Sequence, residues 1–229
     1  MTATTAEIPA AMTQQSRLLL AAHTAMRADT RRLFGAVGRL AGADPQEAER
    51  LGRAFSELVR LIHDHHWAED DVIYPFLIER VPGFDVDAVA LEHDHVELDA
   101  VMTRISARLR QLAHRRSERL RLDAQARLTD DAGKFSDVML DHLDREEALV
   151  VPAFDTVIAA ADQRVLEKEE SKLATYRHLR MAVPWVLANA TPLEAVELRR
   201  TAPRLIGLFH DHAWERHFLH VMAPLYRTD

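Results

Sequence analysis

The stretch HDHHWAEDDVIYP, residues 63–75, places three histidines and four carboxylates in thirteen positions and then continues into an apolar run. A second stretch, DHLDREEALVVP at residues 141–152, has nearly the same spacing. In each stretch a histidine stands four residues before a glutamate, and a proline follows six residues after that glutamate. Ionisable side chains are seldom buried unless they are paired. A duplicated His-x-x-x-Glu beside apolar residues therefore indicates a functional site rather than ordinary helix surface.

The rest of the chain predicts an all-α fold around these two stretches. Among 229 residues there are only seven glycines, and alanine, leucine, arginine and glutamate dominate. Breaks at Asp44-Pro45, at VPGFDVDA (81–88) and at the capping box Thr191–Glu194 divide the chain. We expect long helices at about 12–41, 45–80, 86–113 and 117–160, followed by shorter ones. Short connections favour an up-down-up-down four-helix bundle in residues 1–160, with a C-terminal helical extension in 161–229 that packs on it.

Each predicted bundle helix carries one histidine on its inward stripe. Residues three and four apart share a helix face, so a core stripe alternates steps of three and four. The four stripes are Leu19-His23-Met26-Thr30 followed by Leu33 or Phe34, Leu58-Ile62-His65-Glu69-Val72-Phe76, Leu91-His95-Leu98-Met102-Ile105-Leu109, and Phe135-Met139-His142-Glu146-Leu149-Ala153. The second and fourth stripes add a glutamate one turn after the histidine.

Four imidazoles and two inward glutamates predict a metal site. A buried carboxylate without a partner costs several kcal/mol, and a metal ion among the acids would offset that cost. The predicted ligands are His23, His65, Glu69, His95, His142 and Glu146. In the alternative interpretation the histidines are ordinary hydrogen-bonded core residues, and the glutamates pair with arginines such as Arg27 or Arg104. The duplicated motif favours the metal site.

The ligand types narrow the choice of metal. The chain has no cysteine, which excludes thiolate ligation, and mixed imidazole and carboxylate ligands suit iron, manganese or zinc. Six protein ligands favour a two-metal centre over a four-ligand structural zinc. Ferritin-like di-iron proteins use Glu-x-x-His on two helices, whereas here that pattern occurs only at Glu92–His95. Ferritin-like chemistry is therefore disfavoured.

The same residues resemble a known family. His23, HHWAEDDVIYP (65–75), EHDHVELDAVM (92–102) and HLDREEALVVP (142–152) are similar to the hemerythrin-like (HHE) domain, whose pattern is H…HxxxE…H…HxxxE. The likeness covers about residues 12–160. It implies a non-haem di-iron cofactor, two iron ions in an oxo- or hydroxo-bridged centre. By the same resemblance, His23 and His65 would bind one iron, His95 and His142 the other, and Glu69 and Glu146 would bridge them.

The chain departs from the oxygen-carrying members of that family at two positions. Asp99 stands where they have a second histidine one turn after the third-helix ligand, and Glu147 follows Glu146 where they have an aspartate. The open coordination position is left to Asp99, Tyr176, His178 or solvent. The remaining histidines are predicted to lie off the stripes: His93 is exposed, His63 and His66 lie on a neighbouring face, and HDHAWERHF (210–218) forms an amphipathic helix that buries Phe209, Trp214 and Phe218.

Two classes of function follow from this resemblance. The first is a binding protein for O2 or NO, acting as a store, carrier or sensor; the second is a catalase- or NO-peroxidase-like enzyme that consumes peroxide or NO. Iron storage is a third alternative. A net charge of -7 and a pI near 6.0 argue against nucleic acid as a partner, and no apolar run approaches a membrane span. The expected partners are small diatomic ligands or peroxide, and we expect a cytoplasmic monomer or homodimer.

Overall fold

The computed structural model describes residues 12–40, 45–114, 118–173, 175–201 and 213–227. Within these ranges the chain is helical and contains no strand. The helices are α1 Gln14–Arg39, α2 Pro45–Ala68, α3 Tyr74–Ile78, α4 Phe84–His114, α5 Glu118–Pro152, α6 Ala160–Leu173, α7 Tyr176–Asn189, α8 Pro192–Thr201 and α9 Glu215–Tyr226. Two five-residue π-helical segments interrupt them, Glu69–Ile73 between α2 and α3 and Ala153–Val157 after α5. None of the described helices is long and apolar enough to cross a membrane.

Four long helical units form the bundle, and the predicted fold class is confirmed. They are α1, α2 with its continuation α3, α4, and α5. Their bounds lie within two residues of the predicted ones, except that α5 ends at Pro152 and not near residue 160. Helix α4 packs against both α2 and α5, and α1 packs against α5. Gly83, with a φ of 85°, lets the chain reverse between α3 and α4 in a conformation that other residues rarely adopt. The short connections keep sequential bundle helices antiparallel.

The π-helical segment Glu69–Ile73 changes the register of the second stripe. The Tyr74 N–H donates to the Glu69 carbonyl, five residues back instead of four, so one extra residue is accommodated in that turn. Side chains beyond Glu69 are rotated as a result. The predicted inward positions Val72 and Phe76 are only half-buried, whereas Ile73, Tyr74 and Leu77 are buried. The predicted stripe is therefore wrong after Glu69.

A polar layer crosses the bundle between two apolar clusters. On α1, Leu19 belongs to the smaller cluster and Met26 to the larger one, and His23 lies between them. On α4, His95 lies in the same way between Leu91 and Leu98. The corresponding residues of α2 and α5 follow the same order. The bundle therefore places its inward histidines at one level, enclosed by apolar side chains on both sides.

The C-terminal extension shares the core of the bundle. Met181 and Trp185 of α7 belong to the larger apolar cluster, together with three side chains of α9. Those side chains are Phe218, Met222 and Leu225. Leu166 of α6 is buried in the smaller cluster. Trp214 and Phe218 are buried as predicted, whereas Phe209 lies outside the described residues.

A buried carboxylate on α1 also ties the extension to the bundle. Asp29 is fully buried, and its Oδ2 accepts a hydrogen bond of 2.8 Å from the Trp185 indole N–H. Arg32 donates to Asp29 Oδ1 and also to Asn189 on α7. Burial raises the pKa of Asp29, although its bonds to Arg32 and Trp185 partly offset that rise. The bond between Asp29 and Trp185 was not predicted, because Asp29 lies beside the predicted inward stripe of α1 rather than on it.

Candidate metal centre

The structure brings all six predicted side chains into the polar layer. Five of them are buried, while the side chain of His65 is 15% exposed. The buried side chains are His23, Glu69, His95, His142 and Glu146. The nitrogens and oxygens with which these side chains could bind a metal, called donor atoms below, form two groups together with one nitrogen of His66. Both groups contain Glu69, and within each group the donor atoms lie no more than 4.8 Å from one another.

The first group consists of His23, His65, Glu69 and Glu146. His65 Nε2 lies 2.7 Å from Glu69 Oε1, and His23 Nε2 lies 3.2 Å from Glu146 Oε2. The two imidazoles come from α1 and α2 and approach each other edge to face, with Nε2 atoms 3.2 Å apart. Two nitrogens and two carboxylates thus face a common point.

The second group consists of His66, Glu69, His95 and His142. His95 Nε2 lies 3.7 Å from the second oxygen of Glu69, and the His142 ring contacts the His95 ring edge to face. The His66 ring stacks on His95, with centroids 3.9 Å apart and planes inclined by 7°. Glu69 offers one oxygen towards each group, which is the geometry of a bridging carboxylate.

Several metal-binding atoms in this layer make no hydrogen bond of good geometry to the described residues, although Glu69 Oε1 and Glu146 Oε2 lie within ion-pair distance of an imidazole. They are both oxygens of Glu69, Oε2 of Glu146, Nε2 of His95, and both ring nitrogens of His66 and of His142. A buried polar group left without a partner costs about 1–3 kcal/mol, and more if it is charged. These buried atoms face two common points, and metal coordination would satisfy the carboxylate oxygens and one nitrogen of each ring.

The alternative of arginine partners for the buried glutamates is wrong. Arg27 donates to Glu147 and to Asp144, and Arg104 donates to Asp131. Neither arginine bonds Glu69 or Glu146. Within the described ranges, the partners of these two acids are imidazoles and one phenol. No guanidinium of the described residues therefore balances the negative charge of the layer.

Outer carboxylates orient two of the imidazoles. Glu147 Oε1 lies 2.9 Å from His23 Nδ1, and Asp70 Oδ1 lies 2.9 Å from His95 Nδ1. A carboxylate on one ring nitrogen fixes the tautomer and turns the other nitrogen towards a metal. His23 Nε2 faces Glu146, and His95 Nε2 faces Glu69. Glu147, which replaces the aspartate of the oxygen carriers, thus contacts the outer edge of His23 and not the centre of the layer.

The pKa shifts in the layer favour the metal-binding protonation states of Glu69, His66 and His142, whereas the pKa values of Glu146, His23 and His95 are raised, which opposes theirs. Burial would raise the pKa of Glu69, but the neighbouring imidazoles outweigh burial and hold it well below its usual value. Burial and the charge of Glu69 raise the pKa of Glu146. Burial, with His95 beside them, lowers the pKa of His66 strongly and that of His142 to about 3. Neutral imidazole is the form that binds metals.

Tyr74 is a buried contact of the layer that the sequence analysis missed. Its O–H donates a hydrogen bond of 2.9 Å to Glu146 Oε1, and its ring lies nearly parallel to His95 at 6.0 Å. Burial, reinforced by the charges of Glu69 and Glu146, raises the pKa of Tyr74 well above its ordinary value. The phenol therefore keeps its proton. The π-helical turn rotates this residue inward, and no simple helical stripe predicts that rotation.

Three residues proposed for the open coordination position lie elsewhere. Asp99 is exposed, and its Oδ1 lies 2.8 Å from Nε2 of the exposed His63. Tyr176 is exposed and packs edge to face against Trp214. His178 pairs with Asp64 at 2.9 Å. None of these three candidates contacts the layer, because each side chain has a partner elsewhere.

The position of His66 was also predicted wrongly. His66 is 4% exposed and belongs to the second donor group, not to a neighbouring face. The sequence contained the signal, since residues three and four positions before Glu69 both share its helix face. Ile62, His66, Glu69 and Ile73 form a buried series of their own. By contrast, the choice of His95 over His93 agrees with the structure, in which His93 is exposed.

Removal of the outer carboxylate of His23 is predicted to weaken metal binding. Glu147→Ala frees His23 Nδ1, so the ring loses the bond that orients Nε2. We expect the affinity for metal to fall about 10- to 100-fold, measured by competition with a chelator of known affinity. Asp144→Ala is the matched control, because it removes the other Arg27 partner without touching His23. Equal affinities of the two variants would contradict the orienting role.

The family comparison covers the whole donor layer. The sequence model of the hemerythrin HHE cation binding domain matches residues 15–154, which is more than half of the chain. Neither a curated protein nor a solved structure shows significant similarity to this chain. The matched range contains both donor groups and all four bundle helices up to the end of α5. The chain belongs to the hemerythrin HHE cation-binding family.

Proposed function

We propose that this protein binds O2 or NO at a buried non-haem di-iron centre. One observation carries the proposal: Glu69 is shared by two groups of donor atoms, both enclosed in the bundle. A carboxylate with one oxygen directed to each group is suited to bridge two ions. The function rests on this arrangement together with the family to which the chain belongs.

The donor set supports iron as the metal. Imidazole and carboxylate ligands without thiolate suit iron, and the chain has no cysteine to offer a softer site. His23 and His65 would hold one ion, and His95 and His142 the other. Glu69 and Glu146 would bridge the two. Within the described residues no arginine bonds either glutamate, so metal cations would balance their negative charge.

The burial of the layer favours a small ligand. His65 is the only one of the six predicted side chains with appreciable exposure, and the rest are nearly sealed from solvent. Leu98, Met102 and Met139 are buried on the side of the larger apolar cluster and exclude water there. When bound, ferrous iron would supply electrons and open coordination positions to O2 or NO. A diatomic molecule is the size of ligand that such an enclosed layer admits.

The alternative is an enzyme that consumes peroxide or NO at the same centre. Such a reaction needs a group that releases a proton beside the reacting ligand. Tyr74 is the phenol that contacts the layer, and its raised pKa means that it retains its proton. Asp99 and Tyr176, the other candidate proton donors, lie outside the layer. These placements favour ligand binding over turnover.

Gas exchange on iron-loaded protein tests the proposal. The protein is reduced anaerobically, exposed to O2 or NO, and then returned to vacuum while its optical spectrum is followed. We expect an absorption band that appears with the gas and bleaches under vacuum over repeated cycles. Sustained consumption of many equivalents of H2O2 or NO per centre would support the enzyme instead. Iron-loaded protein whose spectrum responds to neither gas would contradict both functions.

A further inference from the structure

We propose that His66 is a seventh protein ligand and provides the third imidazole of the group that contains His95 and His142. The inference rests on the proposed di-iron function and extends it. The family pattern H…HxxxE…H…HxxxE contains His65 and Glu69 in this stretch but has no place for His66. The structure assigns that residue through its position among the donors and through its unsatisfied nitrogens.

The environment of His66 is that of a metal ligand. The residue is 4% exposed, and neither ring nitrogen has a hydrogen-bond partner in the described part of the chain. One of its nitrogens lies within 4.8 Å of donor atoms on Glu69, His95 and His142. A neutral imidazole that only filled core space would leave a buried donor and a buried acceptor without partners, which destabilises the folded state. A coordinate bond to a metal ion would satisfy the nitrogen that faces the group.

The rings around His66 are arranged as ligands of one ion. His66 stacks on His95 at 3.9 Å, and the His142 ring meets both of them edge to face at 5.4 and 4.7 Å. No outer carboxylate bonds His66, in contrast to His23 and His95. The stacking on His95 therefore takes over the orienting role that a carboxylate has elsewhere in this layer.

His66 also provides an imidazole where α4 has none one turn after His95. One turn after His95, the chain has Asp99, which is exposed and pairs with His63. Helix α4 thus gives a single imidazole to the layer. Helix α2 gives two, because His65 and His66 stand four and three residues before Glu69 and both reach its face. The two metal positions then have unequal donors, three imidazoles in one group and two in the other.

The test compares His66→Leu with His63→Leu. Both variants remove one histidine from α2, but His63 is exposed and outside both donor groups. Each protein is loaded with ⁵⁷Fe(II), freed of excess metal, and measured for iron per chain and by Mössbauer spectroscopy. We expect two unequal iron signals in the unmodified protein and in His63→Leu. In His66→Leu, the signal of one iron should be lost or changed, with an affinity at least about 10-fold lower for that ion.

A stability measurement separates a ligand from a packing residue. Leucine removes two unsatisfied nitrogens, so metal-free His66→Leu should melt at the same temperature as the metal-free parent or higher. His66→Gln is measured in parallel and should show the same loss of iron, which keeps the test valid if the leucine variant folds poorly. Unchanged iron content and spectra in both His66 variants would overturn the inference. If the unmodified protein itself takes up no iron, the proposed function fails instead, and the two failures are distinct.

Discussion

Glu69→Gln is expected to abolish binding of both metal ions. Glu69 is the one residue common to the two donor groups, and its oxygens lie 2.7 Å from His65 Nε2 and 3.7 Å from His95 Nε2. The amide keeps the size of the side chain but removes the charge and one acceptor oxygen. Elemental analysis of the purified variant should find less than about a tenth of the parent iron, since both ions lose a ligand and their bridge together.

Asp71→Asn is the matched control for this change. Asp71 is exposed on the same π-helical segment, so the control removes an equal charge two residues away without touching either donor group. We expect the control to retain its full iron content. Undiminished metal in Glu69→Gln would remove this residue from the site and with it the shared-carboxylate geometry.

Removal of the metal is expected to destabilise the whole bundle. Without ions, the layer leaves the oxygens of Glu69 and several ring nitrogens buried and unsatisfied. Ligands that bind only the folded state stabilise it by about 4 kcal/mol at a thousandfold excess over Kd. For a chain of this length, that stabilisation corresponds to roughly 10 °C in Tm. Circular dichroism melts with and without a chelator measure the shift.

The Glu69→Gln variant provides the control for that experiment. Because it is expected to carry no ion, the chelator should leave its Tm unchanged. Its metal-free form should also be at least as stable as the metal-free parent, since a buried charge has been removed. A parent protein whose Tm is indifferent to the chelator would contradict a structural contribution from the ions.

The donor layer was largely predictable because helical periodicity governs it. His23, His95, His142 and Glu146 each lie on an uninterrupted α-helical stretch, where steps of three and four residues identify the inward face. The family resemblance depended on the same spacing. What these residues have in common is that no backbone irregularity precedes them on their own helix.

A backbone irregularity explains why the sequence did not predict the inward position of Tyr74. The π-helical turn at Glu69–Ile73 rotates Tyr74 into the layer. The turn ends two residues before Pro75, which has no N–H to continue the α-helical bond pattern. His66 was overlooked for another reason. Where two adjacent histidines stand three and four residues before a glutamate, periodicity admits both, and only the packing of the partner helices decides how each ring is used.

The extension was predictable as helix that packs on the bundle, and the burial of Phe218 was predicted with it. The partner of Trp185 was not predicted. The bond from Trp185 to Asp29 joins residues 156 positions apart. Such distant pairs leave no periodic signal in the sequence, because each partner looks locally like an ordinary core or surface residue.

Anomalous diffraction at the iron edge, on crystals of the iron-loaded protein, tests the central claim most directly. The account predicts two peaks inside the bundle, one among His23, His65, Glu69 and Glu146 and the other among His66, Glu69, His95 and His142. A single peak, a peak outside the polar layer, or none at all after iron loading would contradict it.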